Sequence, residues 1–449
     1  MKYIEFKDLV MKKAKEAELT EFELYYMESE DNSAEALMHE LTKFSTTHDR
    51  GACFRCIYHG KMGYASTELF TKEESQRLVQ NAMENAMVIE SEDKVIIYDG
   101  VGTYEKLEKL ETTIPDAKDL VETCLQLEKD FFEKDKRVLE GSMAGAGYGK
   151  VTIALCNSKG LDLSHSYNYS QLVAVVSVKE GQEVYNGHKI LTGDFKQFNL
   201  DALAEDTVEK VVKTIGADTV ESGIYDIVFS SEMMATMFST FFSAFSADAA
   251  RRGLSLLKGK EGELVASDIV TIVDDPFYKE SFIQMPFDGE GVATYKKNVI
   301  ENGKLSTLLH NLTTAHEAGV KSTGNGRRLN YASGVNVLPY NFLLTAGSAG
   351  EKEEIFKKIG NGLYITALNG LHAGANPTTG DFSLSAEGFL VEEGVQKIPI
   401  KNFTISGNFY DLLQKIILVG SDVKLNNPEG GVCFGAPTTV VKEISVAGK

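Results

Sequence analysis

Along the first half of the chain the apolar positions change period several times, and each change predicts an element. Ile4, Leu9, Val10 and Ala14 repeat at helical spacing and predict a helix over 4–17. The runs EFELYYM (21–27) and STTHDRGACFRCIYHGKMGYAST (45–67) read as strands, with Gly51, Gly60 and Gly63 as hairpin turns. Thr71 and Glu74 have capping-box spacing and open a helix to about Met87, with Leu78, Ala82 and Ala86 on one face. The charged stretch 89–113 reads as a connector. A third helix is predicted from Asp116 to Glu133, with Leu120, Cys124, Leu127 and Phe131 at helical spacing and Pro115 in its first turn. Three strand-like runs follow at 138–145, 150–157 and 170–178, separated by glycines, with Asn157–Gly160 as a turn. A helix over 200–215 is closed by Gly216.

The second half has a different texture. From Ile224 onward glycines punctuate short β-like runs, and one long apolar helix is predicted over 233–250. Phe238, Phe241, Phe242 and Phe245 lie at i, i+3, i+4 and i+7, and Met233, Met234, Met237 and Ala244 cover much of the remainder. A helix apolar on most sides is buried or sits at an interface. It has no ionisable group between Glu232 and Asp248, so it cannot hold a metal. The change of texture near 216–224 sets the main boundary. The reading is an α+β chain in three parts: an N-terminal α+β subdomain (1–110), a central α+β subdomain (111–218) and a β-rich C-terminal domain (219–449).

Composition narrows the partners. The 449 residues include 46 Lys+Arg against 65 Asp+Glu, a net charge of −19. Phosphate neutralisation needs clustered basic residues, and the basic runs here are short, so direct nucleic-acid binding is not expected. The longest uncharged apolar stretch, 233–247, falls short of the ~20 residues that span a membrane. The N-terminus carries Glu5, Lys7 and Asp8 where a signal peptide would be apolar. Five cysteines, an odd number, suit reduced thiols in a cytoplasm.

Several chemical motifs are near misses. Cys53 and Cys56 have CxxC spacing but lie in a strand-like run without a second pair, which favours a structural role. GAGYGK (145–150) lacks the first P-loop glycine and the Ser/Thr after Lys150, and it leads into a strand rather than a helix, so it reads as a β-turn. His316-Glu317 approaches a zinc-helix motif, but Lys321 stands where the second histidine belongs. No GxSxG elbow is present. His372, Asp381, Ser383 and Ser385 are close in sequence, within and after a glycine-rich loop of the kind that often lines a cleft.

The ordered series GACFRCIYHGKMGYAST, NSKGL (157–161), MPFDGEGVATYKKNVIENGKL (285–305), STGNG (322–326), GLYITALNGLHAGANPTTGDFSLSAEGFLVEEG (362–394) and IPIKNFTISGNF (398–409) resembles the TldD/PmbA family, the modulators of DNA gyrase. The resemblance runs along nearly the whole chain. It implies a barrel-like C-terminal sheet and a role in a cytoplasmic metallopeptidase assembly that degrades unfolded peptides and trims leaders from peptide-antibiotic precursors. One subunit type of that family carries His-Glu-x-x-x-His on the helix after the first C-terminal strand, plus a late cysteine. The other, the TldE/PmbA type, lacks these zinc ligands. Here that helix is SEMMATMFSTFFSAF (231–245), without histidine, and Cys433 falls after the expected ligand position. The chain therefore resembles the TldE/PmbA type. The expectations are no catalytic or metal residue in this chain, zinc in a TldD-like partner, and a heterodimer or homodimer. Gly324, Asn325, Gly326, His372, Asp381 and Ser383 are the candidate lining of a peptide groove. Two rivals stand beside this reading: a self-standing peptidase using His310, His316, Glu317 or His372, and a chaperone-like peptide binder without proteolytic activity.

Overall fold

The computed structural model describes every residue except 92, 101, 108–111 and 429. The N-terminal half is one six-stranded antiparallel sheet in the order β3-β2-β1-β4-β5-β6. Its strands are β1 (Phe22–Leu37), β2 (Glu40–Tyr58), β3 (Lys61–Thr67), β4 (Met143–Asn157), β5 (Asp162–Glu180) and β6 (Glu183–Gly193). β1 pairs with β2 on one side and β4 on the other, so the sheet is continuous across residue 110. Four helices, α1 (Tyr3–Glu16), α2 (Lys72–Val88), α3 (Ala117–Lys134) and α4 (Leu200–Val212), cover one face. Strand alternation explains the layering: Phe22, Leu24 and Tyr26 of β1 pack under α1 and α2, while Glu23 and Tyr25 point to the other face. That other face meets the C-terminal half, where Ile153 and Tyr167 pack on Ile283, Met285, Tyr340 and Cys433.

In the C-terminal half β7 (Gly223–Phe229) pairs with strands Gly362–Asn369 and Thr439–Ala447. Strands Asp381–Glu392 and Val395–Asn408 continue the sheet, and Val395–Asn408 pairs back onto Thr439–Ala447. This closes a five-stranded barrel, the barrel-like arrangement expected. A second six-stranded sheet, which includes Ile272–Asp274, Lys297–Glu301 and Asn341–Leu344, packs beside it. The α+β class and the helix-and-antiparallel-strand N-terminal part are as read from sequence. Among the described residues no helix is long and apolar enough to cross a membrane.

Several local readings are corrected. GAGYGK is not a turn: it lies inside β4, where Gly145, Gly147 and Gly149 pair with Glu35, Ser33 and Asp31 of β1 and with β5 on the other side. A side chain at Gly149 would crowd the Asp31 carboxylate and the Tyr169 ring, so this glycine serves close packing, not chain reversal. Gly51 and Gly63 likewise sit within β2 and β3, the first under the Tyr331 ring and the second against the α2 backbone at Ala82. Only Gly60 turns the chain, with φ +76°. The helix predicted over 233–250 is broken: α5 (Ser231–Phe241) runs into a 3-10 turn, Phe242–Phe245, and Ser246 caps a separate helix, Ala247–Arg251. Pro115 precedes the Asp116 cap of α3 rather than occupying its first turn. Thr71 accepts from the Glu74 backbone N–H, but the return half of the capping box is absent. In the 89–113 connector, positions 92, 101 and 108–111 lie outside the described residues.

Candidate functional site

Two buried centres stand out where the halves of the chain meet their cores. The first surrounds α5. Ser230 follows β7 and caps α5 by accepting from the Met233 backbone N–H at 3.3 Å. Met234, Met237, Phe238 and Phe241 are fully buried. Phe241 stacks on Phe409 with centroids 4.6 Å apart, and Phe238 and Phe245 meet Phe342 at 6.0 and 5.1 Å. Phe242 is half-buried against the same core. The one ionisable side chain on α5, Glu232, is turned toward Lys210 at 3.2 Å. Cys433 is buried beside Ser281, and burial pushes its thiol up to about 11.

The second centre is ionic and joins the open face of the N-terminal sheet to the C-terminal half. Glu23 of β1 and Arg55 of β2 are cross-strand partners. The Arg55 guanidinium donates to Glu23 at 2.7 and 3.2 Å and to Glu290 at 3.4 Å. Arg328 donates to Glu23 at 3.0 Å and lies over the Tyr25 ring at 4.7 Å. The Glu23, Arg55 and Arg328 side chains are at most 2% exposed. Burial opposes the Arg55 charge, but Glu23 and Glu290 more than offset it and hold the guanidinium firmly protonated. The Asp288 carboxyl accepts from the backbone N–H groups of Glu290, Val292 and Gly326. Burial, then the Glu290 charge, nevertheless drives its pKa upward. Glu290 moves the same way through burial, with Arg55 opposing.

The six groove candidates fall into two sets that share no hydrogen-bond partner. Gly324, Asn325 and Gly326 are buried beside the ionic centre. Gly324 has φ +70°, and a β-carbon there would meet the backbone of Ala293 and Thr294, so a side chain is disfavoured on two grounds. Asn325 donates to Asp274 at 2.7 Å and accepts from Lys297 at 3.1 Å, and Lys297 closes the triangle on Asp274 at 3.0 Å. His372, Asp381 and Ser383 are exposed. Asp381 bonds Asn408 and Thr379, which lower its pKa, and Ser383 bonds Ser406. None of the six is among the described residues that line the cleft of about 460 Å³ at β5.

The rival set does not converge either. His310 is buried, His316 and His372 are exposed, and Glu317 pairs with Arg251 at 3.4 Å. Among the described residues the one three-donor cluster is Glu28, Glu30 and His48, which contains none of these four. Cys53 and Cys56 lie three residues apart on a strand and so face opposite sides of the sheet, which bars a shared metal or disulfide. The members of the ionic centre were missed by the sequence reading. Their signal was a charged residue inside an apolar run: Glu23 in EFELYYM and Arg55 in CFRCI.

Three family models cover the chain: PmbA/TldA metallopeptidase domain 1 over 22–86, the central domain over 111–215 and the C-terminal domain over 222–448. The chain belongs to the PmbA/TldD family. A metalloprotease PmbA homolog of Haemophilus influenzae is 26% identical over 402 residues, covering 87% of this chain and 85% of the relative. A protein described as a modulator of DNA gyrase from Thermotoga maritima superposes with a TM-score of 0.89 at 29% identity, over 99% of this chain and all of that one. TldE of Thermococcus kodakarensis gives 0.89 at 25% identity, over 98% and 99%. The metal implied by the metallopeptidase name does not fit the residues of α5 in this PmbA/TldD chain. Met234, Met237, Phe238 and Phe241 fill the buried face of α5, and the helix carries no imidazole or thiolate.

Proposed function

We propose that this chain is the non-catalytic, TldE/PmbA-like subunit of a cytoplasmic TldD/TldE-type metallopeptidase assembly, completing a peptide channel with a zinc-bearing partner. The observation that carries the reading is the apolar, fully packed α5. Packing Phe and Met at this place contributes ~1.5–3 kcal/mol per buried side chain and removes the desolvation cost of a polar ligand set. The TldE structure among its structural neighbours supports the same assignment.

The test is elemental mass spectrometry of the purified chain after exchange into metal-free buffer, joined to hydrolysis of an unfolded peptide. The expected result is no stoichiometric zinc and no hydrolysis alone, with hydrolysis appearing when a TldD-like subunit carrying His-Glu-x-x-x-His is added. About one tightly held zinc per chain, or turnover without a partner, would overturn the reading. Peptide binding with no gain of hydrolysis from any such partner would favour the chaperone-like rival.

A further inference from the structure

A small space remains inside the contact between the two halves of the chain. Tyr25 of β1 and Ile153 of β4 line it from the N-terminal sheet, and Asp288, Gly289, Arg328 and Tyr340 line it from the C-terminal half. Its volume is about 20 Å³. One water-sized group needs ~10–15 Å³, so there is room for a single small occupant and none for a metabolite.

Two of the lining side chains carry polar atoms without a partner. Arg328 donates from Nε to the Gly289 carbonyl and from Nη2 to Glu23, while its Nη1 is buried and unpartnered among the described residues. The Tyr340 hydroxyl is buried and unpartnered as well. Buried polar groups are nearly always satisfied, because leaving one unmade is destabilising. A guanidinium nitrogen can only donate, so the occupant that satisfies Arg328 must accept.

The surroundings favour an anion over a water. A water also needs acceptors for its own two protons. The carbonyl of Gly289 is taken by Arg328, that of Asp288 by the Gly291 N–H, and the Asp288 carboxyl by three backbone N–H groups. Much of the remaining wall is apolar, from Ile153, Met285 and Phe287. A monatomic anion needs donors only. Charge points the same way. Arg55 and Arg328 are matched by Glu23 and Glu290. Arg327, also in the lining, makes no ion pair among the described residues; it lies over the Tyr340 ring at 4.6 Å and donates to two carbonyls. Burial holds Asp288 toward its neutral form, which leaves one guanidinium in excess.

We propose that this space is a binding site for one halide-class anion, such as chloride, held by Arg328 Nη1 and Tyr340 Oη between the N-terminal sheet and the C-terminal half. The anion adds a contact to the ionic centre at the seam of the molecule. It binds the folded chain and not the unfolded one, so stability rises with its concentration by mass action.

The test compares the urea midpoint of the full chain in sodium bromide and in sodium gluconate at equal ionic strength, gluconate being far too large for the space. The wild-type midpoint is expected to be higher in bromide by about 0.3 M, with saturation. Tyr340→Phe keeps the ring beneath Arg327 and removes one donor. In gluconate the variant should match or exceed wild type, because an unpartnered buried hydroxyl is gone. In bromide the order should reverse. A water in the space would make the difference between the two proteins independent of the salt, so equal differences overturn the proposal. The second arm needs no variant: crystals of the wild-type chain grown in bromide are expected to show an anomalous peak in contact with Arg328 Nη1 and Tyr340 Oη. An ordered water there without anomalous signal, or an empty space, would also overturn it.

Discussion

The α5 core and the Glu23–Arg55–Glu290–Arg328 centre are buried to the same degree and are held together by opposite means. Around α5 the contacts are aromatic and aliphatic, with no charged group inside. Between the sheet and the C-terminal half, each buried charge has named partners at set distances. Apolar packing is non-directional, so a core of that kind accepts substitutions that conserve volume. A buried ion pair is different: its net contribution to stability is small, but removing one partner strands the other. The two centres should therefore answer conservative substitution very differently, although both lie at zero or near-zero exposure.

The largest effect is expected at the ionic centre. Arg55→Met keeps the length of the side chain but leaves Glu23 and Glu290 short of a cation, at a cost of about 3–5 kcal/mol, read as a lower urea midpoint. A loss under about 1 kcal/mol would show that Arg328 alone compensates Glu23 and would weaken the contrast.

Next comes the pH response of Asp288. Its folded pKa is raised, so the folded state holds the proton more tightly than the unfolded chain does. Stability from this group is fullest below the ordinary carboxyl range near pH ~4 and declines as pH rises toward the folded value. Asp288→Asn should flatten that decline, measured as the wild-type-minus-variant difference in urea midpoint from acid to mildly alkaline pH. A difference independent of pH would mean that Asp288 is ionised throughout.

A smaller effect is expected in the apolar core. Phe238→Leu should cost about 1–1.5 kcal/mol, with no change in the slope of the urea transition. A cost near that of Arg55→Met would erase the distinction between the centres. Smallest of all, Ser383→Ala and His372→Ala, at exposed positions, should stay within about 0.5 kcal/mol. If either abolishes partner-dependent hydrolysis without changing stability, the exposed set returns as a functional surface.

The candidate site was only partly legible. The buried set 324–326 was reached through its motif, and the structure gives it a physical role: φ +70° at Gly324 and an Asn325 locked between Asp274 and Lys297. The exposed set, His372, Asp381 and Ser383, was also reached through a motif stretch, and a motif does not say which side chains meet in space.

What the sequence determined by itself was what local chemistry controls. The period of apolar residues placed α1 to α4, and Asp116 and Thr71 capped their helices. Tertiary structure alone decided the rest. The glycines of 145–150 favour a turn in isolation, and they became strand because β1 and β5 pair with them on either side, with Gly149 tight against Asp31 and Tyr169. Glu23 and Arg55 would be exposed charges on a lone hairpin, and they are buried because the C-terminal half brings Glu290 and Arg328 to meet them. Propensity acts over a few residues, whereas burial and pairing depend on segments hundreds of positions apart, so the second kind of information becomes readable only once the chain has folded.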